Sequence, residues 1–199
     1  MFQVRIHGRG GQGVVTAAEL LSVAGFTEGR HTQAFPSFGS ERMGAPVVSF
    51  CRISDEPIRT HEPVAEPDAL IIQDLTLLHQ PGLLDGLTAD GYMLVNSTRE
   101  FSELGLDEYA ARMPAERLLV VPATQLALEH MGRPLPGAPL LGGFAALTGQ
   151  VRLESVVAAI RERFSGAIAD GNATAAEAAY RFVDDERQTA GHHAGVQEG

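Results

Sequence analysis

At 199 residues, with 44% hydrophobic and 20% charged, the chain has the makeup of one globular domain with a proper core, not of a disordered segment. Its formal net charge of −10 argues against nucleic acid or an anionic membrane as the main partner. No run approaches the ~18 apolar residues of a membrane span, and the N-terminus lacks a signal-peptide core, which points to a cytoplasmic location.

Residues 2–7 read as a first strand that runs into Gly8-Arg9-Gly10-Gly11-Gln12-Gly13. A helix is expected over 14–26, with Val14, Ala17, Ala18, Leu21 and Ala24 near helical spacing. Residues 30–34 form a short second strand. The stretch 35–46 holds two prolines, two glycines and the charged pair Glu41-Arg42, so it is a long irregular loop, and such loops tend to carry function. Residues 47–53 and 57–61 read as a hairpin around Ser54-Asp55-Glu56-Pro57. The apolar runs at 69–72, 92–95 and 118–121 suit buried parallel strands, with crossover helices around 75–80, 102–112 and 123–131.

After a stiff linker at 133–137 the strand signals stop. Residues 138–149 read as a small-residue helix whose Gly142-Gly143 pair permits close helix approach, and 153–164 as an amphipathic one. Asn172 is read as the N-cap of an Ala-rich helix ending near Val183. From Asp184 the chain is polar and glycine-dotted, a frayed tail or an arm. The fold class is therefore α/β, a Rossmann-like, mostly parallel sheet with an added β-hairpin and C-terminal helices. The domain spans 1–183 and the tail 184–199.

Gly8, Gly10 and Gly13 fit the G-x-G-x-x-G spacing, with Gly11 loosening the turn further. Strand, glycine loop and helix together present backbone N–H groups to an anion. A dinucleotide site also calls for an acidic residue about 20 positions on, at the end of the second strand. Glu28 lies in a turn instead, and 33–38 has no carboxylate. Two readings stand: an anion loop, or glycines that let strand and helix pack closely. Cys51, the single cysteine, excludes an internal disulfide and a cysteine-ligated cluster or zinc within this chain, and its apolar setting reads as core. The histidines are scattered, so no metal site is read. Neither G-x-S-x-G nor a P-loop occurs, and the chain has no lysine at all. Glu41-Arg42 is the best polar candidate, against a plain solvated loop tip.

Two stretches are more specific. Arg5-Ile6-His7-Gly8-Arg9-Gly10-Gly11-Gln12-Gly13 and Gln33-Ala34-Phe35-Pro36-Ser37-Phe38-Gly39-Ser40-Glu41-Arg42 together resemble the gamma subunit of the 2-oxoacid:ferredoxin oxidoreductases, of which pyruvate:ferredoxin oxidoreductase is the best-known member. Gly44-Ala45-Pro46-Val47, Cys51-Arg52-Ile53-Ser54-Asp55, Glu66-Pro67-Asp68, Asn96-Ser97 and Leu140-Leu141-Gly142-Gly143-Phe144 continue the resemblance to about residue 183. It implies a complex that oxidatively decarboxylates a 2-oxoacid on thiamine diphosphate and Mg2+, transfers the acyl group to coenzyme A, and passes electrons through [4Fe-4S] clusters to ferredoxin or another acceptor. Alpha, beta and delta-type subunits are the implied partners. No cofactor and no catalytic residue is expected in this chain alone.

From the length of the 35–46 loop and its family match, Ser37, Glu41, Arg42 and Met43 are expected at the edge of the thiamine and coenzyme A cavity. Family members often carry a second arginine where this chain has Met43, and an apolar side chain there suits a bulkier aryl oxoacid such as phenylglyoxylate or indolepyruvate. The segments around Gly142-Gly143-Phe144 and after Asn172 would be partly subunit interface. The competing class is a free-standing, Rossmann-like nucleotide-binding regulator, stable alone and melting higher with NAD or ATP. A pure scaffold without cavity contact is the third reading.

Overall fold

The computed structural model describes residues 1–37 and 43–196, with 190–196 as backbone only. Six strands form one sheet in the order β2-β3-β1-β4-β5-β6 among the described residues. They are β1 (Phe2–Arg9), β2 (His31–Pro36), β3 (Pro46–Ser54), β4 (Ala69–Ile72), β5 (Tyr92–Asn96) and β6 (Leu118–Val121). β1, β4, β5 and β6 pair in parallel, while β3 runs antiparallel to both β1 and β2. β2 therefore points the same way as β1. The added hairpin is β2–β3, not the one expected around Ser54–Pro57.

The helices are α1 (Val14–Thr27), the single turn α2 (Asp107–Ala110), α3 (Ala123–Met131), α4 (Gly137–Thr148), α5 (Leu153–Arg163) and α6 (Gly166–Val196). Of the expected crossover helices, 123–131 forms as read. Around 75–80 only a 3-10 turn appears, and 102–112 divides into a 3-10 turn and α2. No helix among the described residues is long and apolar enough to cross a membrane.

Alternation along the strands sorts their side chains onto two faces. Val4, Ile6, Cys51, Ile53, Ala69, Ile71 and Leu94 pack against α1, α4, α5 and α6 in the larger core. Leu70, Ile72, Met93, Val95 and Leu118 face the other way, under Leu77, Leu83, Leu104, Leu106 and Met113. On β1 and β3 that second face carries buried polar side chains beside Phe50: Arg5, His7 and Arg52 are at most 7% exposed. Arg5 donates to the carbonyls of Val64, Ala65, Leu83 and Asp85, and Arg52 to that of Glu62. The strand expected over 57–61 does not form: Pro57 and Pro63 remove ladder donors at its two ends, and the stretch is irregular.

Two C-terminal expectations are corrected. Asn172 is not an N-cap: α6 begins at Gly166 and runs through it, and the Asn172 amide donates back to the Ile168 carbonyl at 2.8 Å, a bond that a helix interior tolerates. The residues from Asp184 continue α6 to Val196 instead of fraying, and the Arg187 guanidinium donates to the Ala146 carbonyl in the last turn of α4. Gly142, Gly143 and Phe144 are buried within the chain itself, against α6. A Cβ on Gly142 would lie 1.9 Å from the Ala176 carbonyl oxygen, so the glycine pair brings two helices of one chain together, and these residues are not a subunit interface.

Candidate functional site

Because five strands share one direction, their exits share one edge of the sheet. The glycine loop follows β1, Ser37 follows β2, Gln73-Asp74 follow β4, Ser97 follows β5 and Pro122 follows β6. β3 runs the other way and so begins at this same edge, preceded by Met43-Gly44-Ala45. In open α/β sheets this is where ligand-binding loops collect.

Within the glycine loop, Gly13 caps α1 in the left-handed region at φ 75°, with no side-chain cap. Gly8 is buried, and a Cβ there would sit 2.6 Å from Val14 Cγ2 and 3.1 Å from Gln73 Oε1. At Gly8 the packing reading therefore has a direct cause. Gly10 binds the root of the long loop on both sides: its N–H donates to the Ala45 carbonyl at 2.8 Å, and its carbonyl accepts from Gly44 N–H at 3.1 Å. Gly11 lies under Met43, whose methyl would be 3.1 Å from a Cβ at that position.

Arg9 ties this corner together. Its Nη1 donates to the Gly44 carbonyl at 2.9 Å, and its Nε and Nη2 donate to the Thr76 hydroxyl at 3.0 and 2.7 Å. Nε also lies 3.5 Å from the Asp74 carboxylate. Asp74 accepts from Thr76 N–H and hydroxyl and from Gln12 Nε2. Burial works to raise the Asp74 pKa, but the Thr76 and Gln12 hydrogen bonds and the Arg9 charge outweigh it and hold the carboxyl below its ordinary value.

Beside Asp74 lies a cleft of about 320 Å³ lined by Gln12, Gln73, Asn96, Ser97 and Thr124 among others. Asn96 closes its floor, donating to the Gln73 carbonyl and the Thr124 hydroxyl and accepting Thr124 N–H at the start of α3. Gln73 is 1% exposed, yet neither atom of its amide has a partner among the described residues.

Of the residues singled out in the sequence, Gly8, Gly10, Gly11, Gly13 and Met43 gather at this corner. Ser37 is exposed at the other end of the long loop, its N–H on the Val48 carbonyl at 2.8 Å, and Met43 is 87% exposed. Glu41 and Arg42 lie outside the described residues. Glu28 is engaged elsewhere, accepting Arg152 N–H at 2.8 Å and so tying the end of α1 to the start of α5. Asp74 and Thr76 went unread. Their signal was the polar pair Gln73-Asp74 placed directly after an apolar strand, where a parallel strand delivers its functional loop.

Cys51, the one thiol, is wholly buried away from this corner, and burial pushes its pKa up, which keeps it an unreactive core thiol. Among the described residues no three His, Cys, Asp or Glu side chains gather as metal ligands.

Comparison with known proteins extends the geometry. Residues 3–182 match the family model for pyruvate ferredoxin/flavodoxin oxidoreductase. The chain is 46% identical, over 90% of its length and 96% of the relative's, to the pyruvate/ketoisovalerate oxidoreductases common subunit gamma of Thermococcus kodakarensis. It is 44% identical over the same shares to pyruvate synthase subunit PorC of Methanothermobacter marburgensis. The crystal structure of pyruvate oxidoreductase subunit PORC from Thermotoga maritima superposes with a TM-score of 0.77 at 35% identity, covering 90% of this chain and 95% of that one. The chain belongs to the pyruvate ferredoxin/flavodoxin oxidoreductase family, as its gamma subunit.

Proposed function

We propose that this gamma subunit works in a cytoplasmic complex that oxidatively decarboxylates pyruvate, or a related 2-oxoacid, to the acyl-coenzyme A and passes the electrons to ferredoxin or another acceptor. Alpha, beta and delta-type chains are its partners, and they carry the thiamine diphosphate, Mg2+ and [4Fe-4S] clusters. The observation that carries this reading is the 46% identity, across nearly the whole chain, to a subunit named as common to pyruvate and ketoisovalerate oxidoreductases. A gamma chain common to two oxoacids supports substrate choice by its partners. Affinity purification of the native protein tests the reading. Recovery of larger partner chains with iron and thiamine diphosphate, and viologen reduction with pyruvate, is expected. A lone, cofactor-free 21.2 kDa protein would overturn it. The same oxoacid screen includes phenylglyoxylate and indolepyruvate, the aryl substrates that an exposed Met43 would suit.

The loop between Pro36 and Pro46, where β2 ends and β3 begins, is the part of this chain that reaches the edge of the thiamine and coenzyme A cavity, with Glu41 and Arg42 as its polar residues and Ser37 and Met43 in its two arms. Its support is placement: Ser37 and Gly44, near its two ends, are bonded to the edge where the other strand exits collect. Arg42→Ala is expected to raise the apparent KM for coenzyme A or oxoacid, or to lower kcat, about tenfold, the scale of one lost charge-assisted hydrogen bond, without dissociating the complex. Unchanged kinetics would end this reading. The glycine loop serves packing and holds no nucleotide. Stoichiometric nucleotide released from the purified subunit would contradict that.

A further inference from the structure

We propose that the cleft beside Asp74 is a binding site for a small uncharged ligand carrying a carboxamide, with the Gln73 side chain as its two-point anchor. The inference goes beyond the complex and loop readings above and depends on neither.

The walls of the cleft decide the charge of what it can take. Asp74 is the one charged residue among the described residues that line it. Its carboxylate is already engaged, accepting from Thr76 and Gln12 and lying 3.5 Å from Arg9 Nε. Arg9 in turn is committed to Thr76 and Gly44. A bound anion would meet the Asp74 charge with no free cation to offset it, and a bound cation would find no free carboxylate. At about 320 Å³ the cleft holds roughly ten water volumes and sits at the small end of ligand pockets.

The hydrogen-bonding groups decide the rest. Asn96 is spent on the Gln73 carbonyl and on Thr124, and the Ser97 hydroxyl on the backbone of Arg99. Gln73 is different: it is 1% exposed, yet its Nε2 and Oε1 both lack a partner among the described residues. Its backbone is held on both sides, the N–H by the His7 carbonyl and the carbonyl by Asn96, so the side chain leaves from a fixed point. Two glycines leave it room. A Cβ on Gly8 would lie 3.1 Å from its Oε1 and 3.0 Å from Gln12 Oε1, and a Cβ on Gly137 would lie 3.8 Å from its Nε2. An unpaired buried amide is costly, and a donor beside an acceptor is matched by a group that offers the same pair, which a carboxamide does. The opening turn of α3 forms another wall and has no side-chain cap, so it adds backbone donors for a second oxygen.

Saturation-transfer NMR of the purified, intact complex tests this, with propionamide as the probe and propionate and propylammonium as charged counterparts of similar shape. Saturable binding of propionamide is expected, about tenfold or more tighter than either charged compound. Gln73→Leu keeps most of the side-chain bulk and removes both hydrogen bonds, so propionamide should bind about tenfold more weakly. Thr98→Trp, at an exposed lining position, fills the mouth of the cleft without touching the core and should abolish binding. It decides the matter if Gln73→Leu fails to assemble. Equal binding to the native complex and the variants would show attachment elsewhere. Tighter binding of propionate would assign the cleft to an anion at the start of α3. No saturable binding would mean that ordered water or a partner chain satisfies Gln73. Each of these three results overturns the proposal.

Discussion

Arg5 and His7 occupy the face of β1 that β4 and β5 give to leucine, isoleucine, methionine and valine. Arg5 Nε donates to His7 Nε2 at 3.0 Å, which leaves the imidazole proton on Nδ1 and the ring neutral. Burial, then the Arg5 charge, lowers the His7 pKa from 6.5 to about 4. Between those values the unfolded chain binds a proton that the folded chain does not. Stability contributed by His7 is whole above pH 6.5 and is lost as pH falls toward 4, with about 2 kcal/mol gone by pH 5. His7→Gln keeps an acceptor for Arg5 without a titrating site, so its urea midpoint should change less between pH 7 and pH 5 than that of the native chain. Equal slopes would show that other groups set the acid limit. In the sequence His7 has a place among the scattered histidines and in the first family motif, but no pairing. Its pairing with Arg5 follows from a two-residue spacing on a strand, which becomes informative once the cover over that face is known.

Helix packing on the larger core depends on how closely α4 and α6 approach. Gly142→Ala puts a methyl where the Ala176 carbonyl stands, at 1.9 Å, and the listener on the other side is backbone, which cannot rotate away. We expect a loss of about 3 kcal/mol, at the upper end for overpacking, read as a lower denaturant midpoint. Gly149→Ala, exposed to open space at the end of α4, tests whether the loss comes from that contact: its cost should be only the strain of φ 63°. The small-residue run made this approach legible in the sequence. The reach of α6 was not legible, because Asn172 and the polar stretch after Val183 look like punctuation. Tertiary contacts override them: Ala173, Ala176, Ala179 and Val183 are each at most 1% exposed, and Arg187 binds the end of α4. The hairpin at 54–57 misled because β3 pairs with β2 and β1 on its two sides, which leaves no edge for 57–61 to join.

Across the whole molecule, the strands and their faces were readable from apolar runs and the alternation within them, and the family from two loop motifs. What the runs do not encode is which loops meet. Arg9, Gly44 and Asp74 are up to 65 residues apart and share no pattern; the parallel pairing of β1 with β4 brings Arg9 to Asp74, and the reversed direction of β3 brings Gly44 to the same edge. The glycine spacing accordingly suggested a ligand, while the structure gives Gly8 and Gly10 neighbours within the chain. One buried side chain has a further use. Cys51 is wholly enclosed, it is the single thiol, and the chain has no lysine. A cysteine placed at exposed Ser37 would therefore be the one reactive thiol on the folded subunit, and a fluorophore or spin label attached there would report on the long loop from a silent background, with no native residue needing to be removed first.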